Sequence, residues 1–249
     1  IVKYTIADIS FCEKLIIFLS IIINMNKNIF ICYKNLPTIE KYSLNWKKLN
    51  PDWKIYLFDD QKCIDFLEKT YGTIFKDIFN FIKDGPIKSD FWRVCILYYY
   101  GGLYVDADIE PIKPLSFFIN ESDDFITCIS SNSFKRGNLT LPSKNKWQSN
   151  PHFIYSKNKN LFIFKFCINQ YIKYYNNAKP YSYWGWSIVG IFDKFNFFPD
   201  EKKSGIFFFK KLKFKLLLEI NMQYCTYNKV KLFNNRYKEY INHKFKSLK

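Results

Sequence analysis

Apolar positions along this chain change period several times, and each change marks an element. Asn28–Tyr33 (NIFICY) is a continuous apolar run of strand length and predicts a central β-strand. Leu36-Pro37-Thr38 leads into a helix, with Thr38 as its N-cap and Trp46 on its buried side. Trp53–Phe58 predicts a second strand, ending at Asp59-Asp60, and residues 62–82 read as helical. Gly85-Pro86 marks a turn. From 87 to 100, Phe91, Val94, Cys95, Leu97, Tyr98 and Tyr99 recur with the spacing of a helix that buries a broad face. Gly101 and Gly102 stop that helix, because glycine accepts the positive φ of a C-cap. Leu103-Tyr104-Val105 is then a short buried strand. A β-α-β start of this kind suits a nucleotide-binding α/β layer.

Further on the pattern weakens. Glu110 to Leu115 is a proline-punctuated connection, and Phe125–Ser130 is a strand. Residues 131–150 are polar and turn-rich apart from Leu139–Leu141, and predict a surface loop or hairpin. Phe153–Ser156 predicts a strand, 159–176 an amphipathic helix, and 205–218 a core strand plus an exposed edge. No internal repeat is present. At the other end, the apolar run Leu15–Ile23 is nine residues long, short of the roughly 20 that span a bilayer. It reads as a signal-anchor remnant or, as the preferred expectation, as sequence upstream of a natural start at Met25.

Composition bounds the picture. With 249 residues, 48% of them hydrophobic, the chain can bury one sizeable core. The expected organisation is an extension over 1–27 and a single domain over 28–249. The formal charge of +16 comes almost wholly from lysine, since arginine occurs only at Arg93, Arg136 and Arg236. Such a charge suits an anionic partner or peripheral contact with a membrane surface. A lysine-rich solvated surface is the simpler reading, and without an RNA-binding signature no specific nucleic-acid partner is expected. The seven cysteines form no C-x-x-C pair, and most lie inside apolar runs. They read as small hydrophobes in a reducing, cytoplasmic setting, with no structural zinc. With only His152 and His243 present, a histidine-based metal site is not expected either.

The chemistry concentrates after the 87–100 helix. Residues two apart in an extended chain point to one side, so Asp106 and Asp108 can aim at a single point past the strand end. Two converging carboxylates repel unless a proton or cation lies between them. A hard divalent cation with oxygen ligands, manganese or magnesium, is the natural guest. A bare D-x-D is equally compatible with a solvated acidic turn.

Ser89-Asp90-Phe91-Trp92-Arg93, then Tyr100-Gly101-Gly102-Leu103-Tyr104-Val105-Asp106-Ala107-Asp108, resembles the pattern of the DXD-containing sugar transferases of glycosyltransferase family 32. That group includes fungal Golgi initiating mannosyltransferases and bacterial capsular polysaccharide transferases. The likeness extends to Leu36-Pro37, Trp46, Asn50-Pro51-Asp52 and the Pro111–Leu115 segment, and thins beyond Leu115. It implies a GT-A fold, that is, a Rossmann-like mixed central sheet flanked by helices. It also implies transfer of a sugar from a nucleotide-diphosphate donor to a glycan or other hydroxyl acceptor, with retention at the anomeric carbon. By the same resemblance Asp106 and Asp108 hold the cation, joined by His243 near the end of the chain. Asp90 bonds donor sugar hydroxyls and Arg93 lies near the sugar or phosphate. Tyr33, Ser89, Gly102 and Tyr104 complete the donor site, and a helix start near Gly190 faces the diphosphate, although the usual Gly-Pro is here Gly190-Ile191. Trp147, Trp184 and Trp186 are candidates for stacking on sugar rings. Two other classes compete. A haloacid-dehalogenase-type phosphatase also carries D-x-D, but wants Thr or Val where this chain has Glu110. A non-catalytic nucleotide-sugar or nucleic-acid binding protein would not need Asp90, Arg93, Asp106 and Asp108 together.

Overall fold

The computed structural model describes residues 26–34, 36–130, 135–136, 139–140, 148–193 and 204–236. The expectations for residues 1–24, Trp147 and His243 therefore lie outside the described residues. Strand β1 (Asn28–Cys32) alternates its side chains. Ile29 and Ile31 go to the layer that holds Trp46, while Phe30 and Cys32 go to the layer that holds Trp92 and Phe91. Helix α1 (Leu36–Leu49) follows and places Trp46 against the sheet. It begins two residues ahead of Thr38, because Pro37 fits a first helical turn, where no amide hydrogen is needed.

Strand β2 (Lys54–Phe58) pairs parallel to β1. Asp59 caps helix α2 (Asp60–Tyr71) by accepting from the Lys62 amide at 2.8 Å. The single helix expected over 62–82 is two, α2 and α3 (Thr73–Phe81), because Gly72 sits at φ +91 and breaks the register. Helix α4 (Gly85–Tyr100) starts at Gly85-Pro86 itself, not after it; proline's fixed φ suits the first turn. Residues 90–97 of α4 are all buried, and Trp92 packs its ring 4.8 Å from that of Phe58. Each such large side chain stabilises the layer by roughly 1.5–3 kcal/mol.

Strand β3 (Gly102–Val105) returns parallel to β1. Gly102 has φ +90, and a Cβ there would lie 2.8 Å from the Asn28 carbonyl oxygen, so β3 can approach β1 only with glycine at this point. After β3 come β4 (Glu110–Pro111), a 3₁₀ turn over Leu115–Phe117, β5 (Phe125–Ser130), the two-residue pair β6 (Lys135–Arg136) and β7 (Leu139–Thr140), and β8 (Gln148–Ser156). Helices α5 (Phe162–Asn176), α6 (Tyr183–Trp186) and α7 (Ile188–Asp193) precede β9 (Gly205–Phe209), β10 (Leu212–Ile220), β11 (Tyr224–Tyr227) and β12 (Val230–Asn234). The core strand and exposed edge expected over 205–218 are β10 and β9, joined as a hairpin turned by Lys210 and Lys211 at positive φ.

Ten of the described strands form one mixed sheet in the order β2-β1-β3-β8-β5-β10-β11-β12-β4, with β9 on β10. Its β2-β1-β3 part is parallel; β8 runs antiparallel to both β3 and β5, and β10 runs parallel to β5. The chain thus has the expected α/β architecture, a mixed central sheet flanked by helices. No helix among the described residues is long and apolar enough to cross a membrane.

Candidate functional site

The C-terminal ends of β1, β2 and β3 open on the same side of the sheet, where parallel α/β layers bind ligands. Tyr33 follows β1 there, half-buried, and its amide donates to the Phe58 carbonyl at 2.9 Å. Ser89, in the first turns of α4, accepts from the Cys32 thiol at 3.3 Å. At the end of β3 the chain does not stay extended. The Ile109 amide donates to the Asp106 carbonyl at 3.1 Å, which makes Asp106–Ile109 a tight turn. The strict two-residue alternation assumed for Asp106 and Asp108 therefore ends at Val105, and the two carboxylates meet different neighbours.

Asp106 turns toward the protein. Its Oδ1 lies 3.2 Å from Arg93 Nη2 and accepts from the Tyr104 hydroxyl at 2.7 Å, while 34% of its side chain stays exposed. Its amide donates to the His152 carbonyl of β8 at 2.9 Å. Asp108 has the Arg236 guanidinium nearby, at 4.0 Å.

Arg93 is the hub. Its Nη2 is 3.2 Å from Asp90 Oδ1 as well as from Asp106. Its Nε donates to the Ser89 carbonyl at 3.1 Å and its Nη1 to the Pro151 carbonyl. The guanidinium plane covers the Tyr104 ring at 4.2 Å. Burial opposes its charge, but Tyr104, Asp106 and Asp90 outweigh that, so Arg93 holds its proton more tightly than a free arginine. Burial pushes the Asp90 carboxyl up to about 6, against the pull of Arg93 and of the Ile188 amide, which donates to Asp90 Oδ2 at 3.0 Å. Burial likewise drives the Tyr104 phenol well above its ordinary range, so it donates to Asp106 as a neutral hydroxyl.

These contacts revise several expectations. Asp90, Arg93 and Tyr104 are buried and turned to one another, and Arg93 and Tyr104 brace Asp106. Gly102 lies at the other end of β3 from Asp106; close packing on Asn28 accounts for it, not donor contact. Gly190 falls inside α7, whose first residue, Ile188, is the one that reaches Asp90. Trp186 is core, among Phe81, Tyr171 and Tyr174. A surface cavity of about 500 Å³ beside Asn28, Lys54, Tyr100 and Lys157 opens at the opposite end of the strands and has no part in this site.

Other supports were not visible as chemistry in the sequence. Trp46 Nε1 donates to the Ile109 carbonyl at 3.2 Å, and Asn50 Oδ1 accepts from the Leu115 amide at 2.7 Å. The motif flanks thus clamp the segment that leaves the turn. Asn234 adds a bond from β12 to Glu110 Oε2 at 2.7 Å. The His152 carbonyl reaches the Asp106 amide by carrying the antiparallel β3–β8 register one position past Val105, and the adjacent Pro151 carbonyl accepts from Arg93. Only Trp46 and Asn50 carried a signal, as part of the motif's flanks.

Residues 38–127 match the family model of a glycosyltransferase sugar-binding region containing a DXD motif. Over 86 residues the chain is 33% identical to the initiation-specific alpha-1,6-mannosyltransferase of Candida albicans, a stretch that is 33% of this chain and 22% of that one. Over 116 residues it is 28% identical to the Saccharomyces cerevisiae protein of the same name, covering 45% of this chain and 23% of that one. The matches therefore span less than a third of the relatives' length. The PaToxG glycosyltransferase superposes with a TM-score of 0.41 at 14% identity, over 74% of this chain and 76% of that one. It is between Thr38 and Thr127, with Asp106-Ala107-Asp108 supplying the DXD, that this chain resembles the glycosyltransferase sugar-binding region.

Proposed function

We propose that this chain transfers a sugar from a nucleotide-diphosphate donor to a hydroxyl of a glycan or polysaccharide acceptor, with retention, using a divalent cation. The observation that carries this reading is the braced Asp106–Ile109 turn at the C-terminal end of parallel β3, inside the matched region. The donor set fits a hard cation such as manganese or magnesium: two carboxylates in one short turn, of which Asp106 is fixed in orientation with 34% of its side chain exposed. Asp106 and Asp108 would hold it. When bound, such a cation neutralises the charge that builds on a departing nucleoside diphosphate.

The chain's own residues do the rest. Arg93 and Tyr104 fix the Asp106 carboxylate before any ligand arrives, which lowers the reorganisation the site must undergo. Asp90 ties this hub to the start of α7 through the Ile188 amide. Tyr33, after β1, and Ser89, in the first turns of α4, are half-buried and would touch the nucleotide. The free thiols of the described cysteines, all buried, support a reducing, cytoplasmic setting, and the lysine-rich surface supports peripheral contact with an anionic membrane.

The test is donor hydrolysis across a panel of GDP- and UDP-sugars, with manganese and with chelator, on wild type and on Asp108→Asn. The expected result is manganese-dependent turnover of one donor, at least about a hundredfold lower in the variant, roughly 3 kcal/mol of transition-state stabilisation. Metal-independent donor binding, unchanged in Asp108→Asn and without turnover, would overturn the enzymatic reading.

A further inference from the structure

A second cluster lies behind the Asp106 turn, on the side of the sheet that holds Trp46. Cys128 of β5, His152 of β8 and Cys225 of β11 are buried, and their Sγ and ring nitrogen atoms all lie within 4.8 Å of one another. Cys225 Sγ is 3.4 Å from Cys128 Sγ and 3.5 Å from His152 Nε2. The other ring nitrogen, Nδ1, faces the Glu219 carboxylate at 3.9 Å. Leu217, Phe153 and Phe233 surround the group, and the Phe233 ring meets the imidazole edge-on at 5.8 Å.

Three features of this arrangement ask for an explanation. A buried imidazole normally gives both nitrogens strong hydrogen bonds, whereas here one faces sulfur, a weak partner, and the other a carboxylate beyond hydrogen-bond distance. Glu219 Oε2 is buried without a hydrogen-bond partner, although Oε1 accepts from Asn150 at 2.8 Å and from Asn235. Strand β8 also gives up regular pairing with β5 between Asn150 and Ile154, the step that carries His152 over Cys128. Irregularities of this kind recur where a side chain must be re-aimed at a site.

We propose that Cys128, His152 and Cys225 form a buried binding site for a thiophilic divalent ion, zinc by its donor set, separate from the cation of the Asp106–Asp108 turn. Two sulfurs and an imidazole select zinc over the hard ions that carboxylates prefer. Tetrahedral zinc, with bonds near 2.3 Å to sulfur and 2.0–2.1 Å to nitrogen, sets sulfur and nitrogen roughly 3.5 Å apart and two sulfurs roughly 3.8 Å apart; Cys225 and His152 already stand at 3.5 Å, and the thiols, at 3.4 Å, need to part by only a few tenths of an ångström. His152 ligates through Nε2 and presents Nδ1 to Glu219, the arrangement in which an outer carboxylate orients a metal-bound histidine. The ion joins β5, β8 and β11. Because the His152 carbonyl receives the Asp106 amide, it also anchors the strand on which the DXD turn hangs. The expectation of no structural zinc rested on local spacing; these ligands come from three strands up to 97 residues apart.

The test is metal analysis of the full chain, purified without an immobilised-metal step and dialysed against a mild chelator. About one zinc per chain is expected, unchanged in Asp108→Asn and lost in Cys128→Ser and Cys225→Ser. Should those variants fail to fold, Glu219→Gln is expected to weaken zinc retention about 10–100-fold in a chelator competition. Cobalt loaded in place of zinc should show a thiolate charge-transfer band. Absence of zinc with both thiols open to alkylation, or a native Cys128–Cys225 disulfide, would overturn the proposal. Zinc content is read without donor turnover, so this result and that of the sugar-transfer assay can fail independently.

Discussion

Replacing Arg93 by methionine keeps the length of the side chain and removes its charge. In the wild type this guanidinium touches Asp90 and Asp106 at 3.2 Å each, bonds two backbone carbonyls and covers Tyr104. Removing one partner of a buried pair costs about 3–5 kcal/mol, a large part of the 5–15 kcal/mol typical of a folded domain. For a chain of this length the melting temperature should fall by about 6–20 °C. The loss should depend on pH. Asp90 titrates at about 6 in the folded chain against an ordinary 3.8, so the stability associated with its neutral form is present below about pH 4 and is lost as pH rises through 6. Without Arg93 the main opposing attraction is gone, so the Asp90 carboxyl rises further. The variant then goes on losing stability above pH 6, at about 1.4 kcal/mol per pH unit, after the wild type has levelled off. Urea unfolding at pH 5, 6 and 7, followed by tryptophan fluorescence, measures the difference. It should widen by about 1 kcal/mol between pH 6 and 7, where the wild type is still levelling off, for Arg93→Met and not for Asp90→Asn/Arg93→Met. A gap independent of pH, or one below about 1 kcal/mol at pH 7, would refute the view that Arg93 neutralises a buried Asp90.

Tyr104→Phe removes the 2.7 Å bond to Asp106; a loss of about 1–2 kcal/mol in urea unfolding is expected, with a higher manganese requirement for turnover and the fold intact by circular dichroism. Gly102→Ala puts a methyl group 2.8 Å from the Asn28 carbonyl at φ +90, and should lower stability by about 1–3 kcal/mol, read as a lower urea midpoint. Lys215→Met strands Asp123, which is fully buried with the Lys215 ammonium against it, and should cost about 3–5 kcal/mol. The same change at Lys213, 21% exposed and 3.5 Å from Asp123, should cost under about 1 kcal/mol in the same assay.

Where structure is local, the sequence was legible. Strand β5 appears over Phe125–Ser130 as the apolar run predicts, and α4 ends at the Gly101-Gly102 stop. The 87–100 helix, the β3 strand and the aspartates after it were readable because each depends on neighbours within a few positions. What could not be read is what crosses the sheet. Nothing near Ile188 announces that its amide meets Asp90, and nothing near Pro151 or His152 announces that their carbonyls meet Arg93 and Asp106. Arg93 was legible as a charge in a motif but not as a buried one, since burial depends on β8 arriving beside β3 some fifty residues later. The division of 62–82 was in principle visible at Gly72, but a lone glycine is tolerated inside many helices.

Strand β4 is only Glu110–Pro111, and it pairs with Phe233–Asn234 at the far end of the chain. During synthesis at about 5–20 residues per second, the first half of that pair leaves the ribosome roughly 6–25 s before the second. In that interval β1, α1, β2 and β3 can already associate, because their contacts are close in sequence. The turn that carries Asp106 and Asp108 still lacks the Asn234 bond to Glu110 and the Arg236 charge. Completion of this end of the sheet is therefore a late event, and a nascent chain that stops short of residue 235 would hold a formed β2-β1-β3 layer with the Asp106–Ile109 turn unfinished.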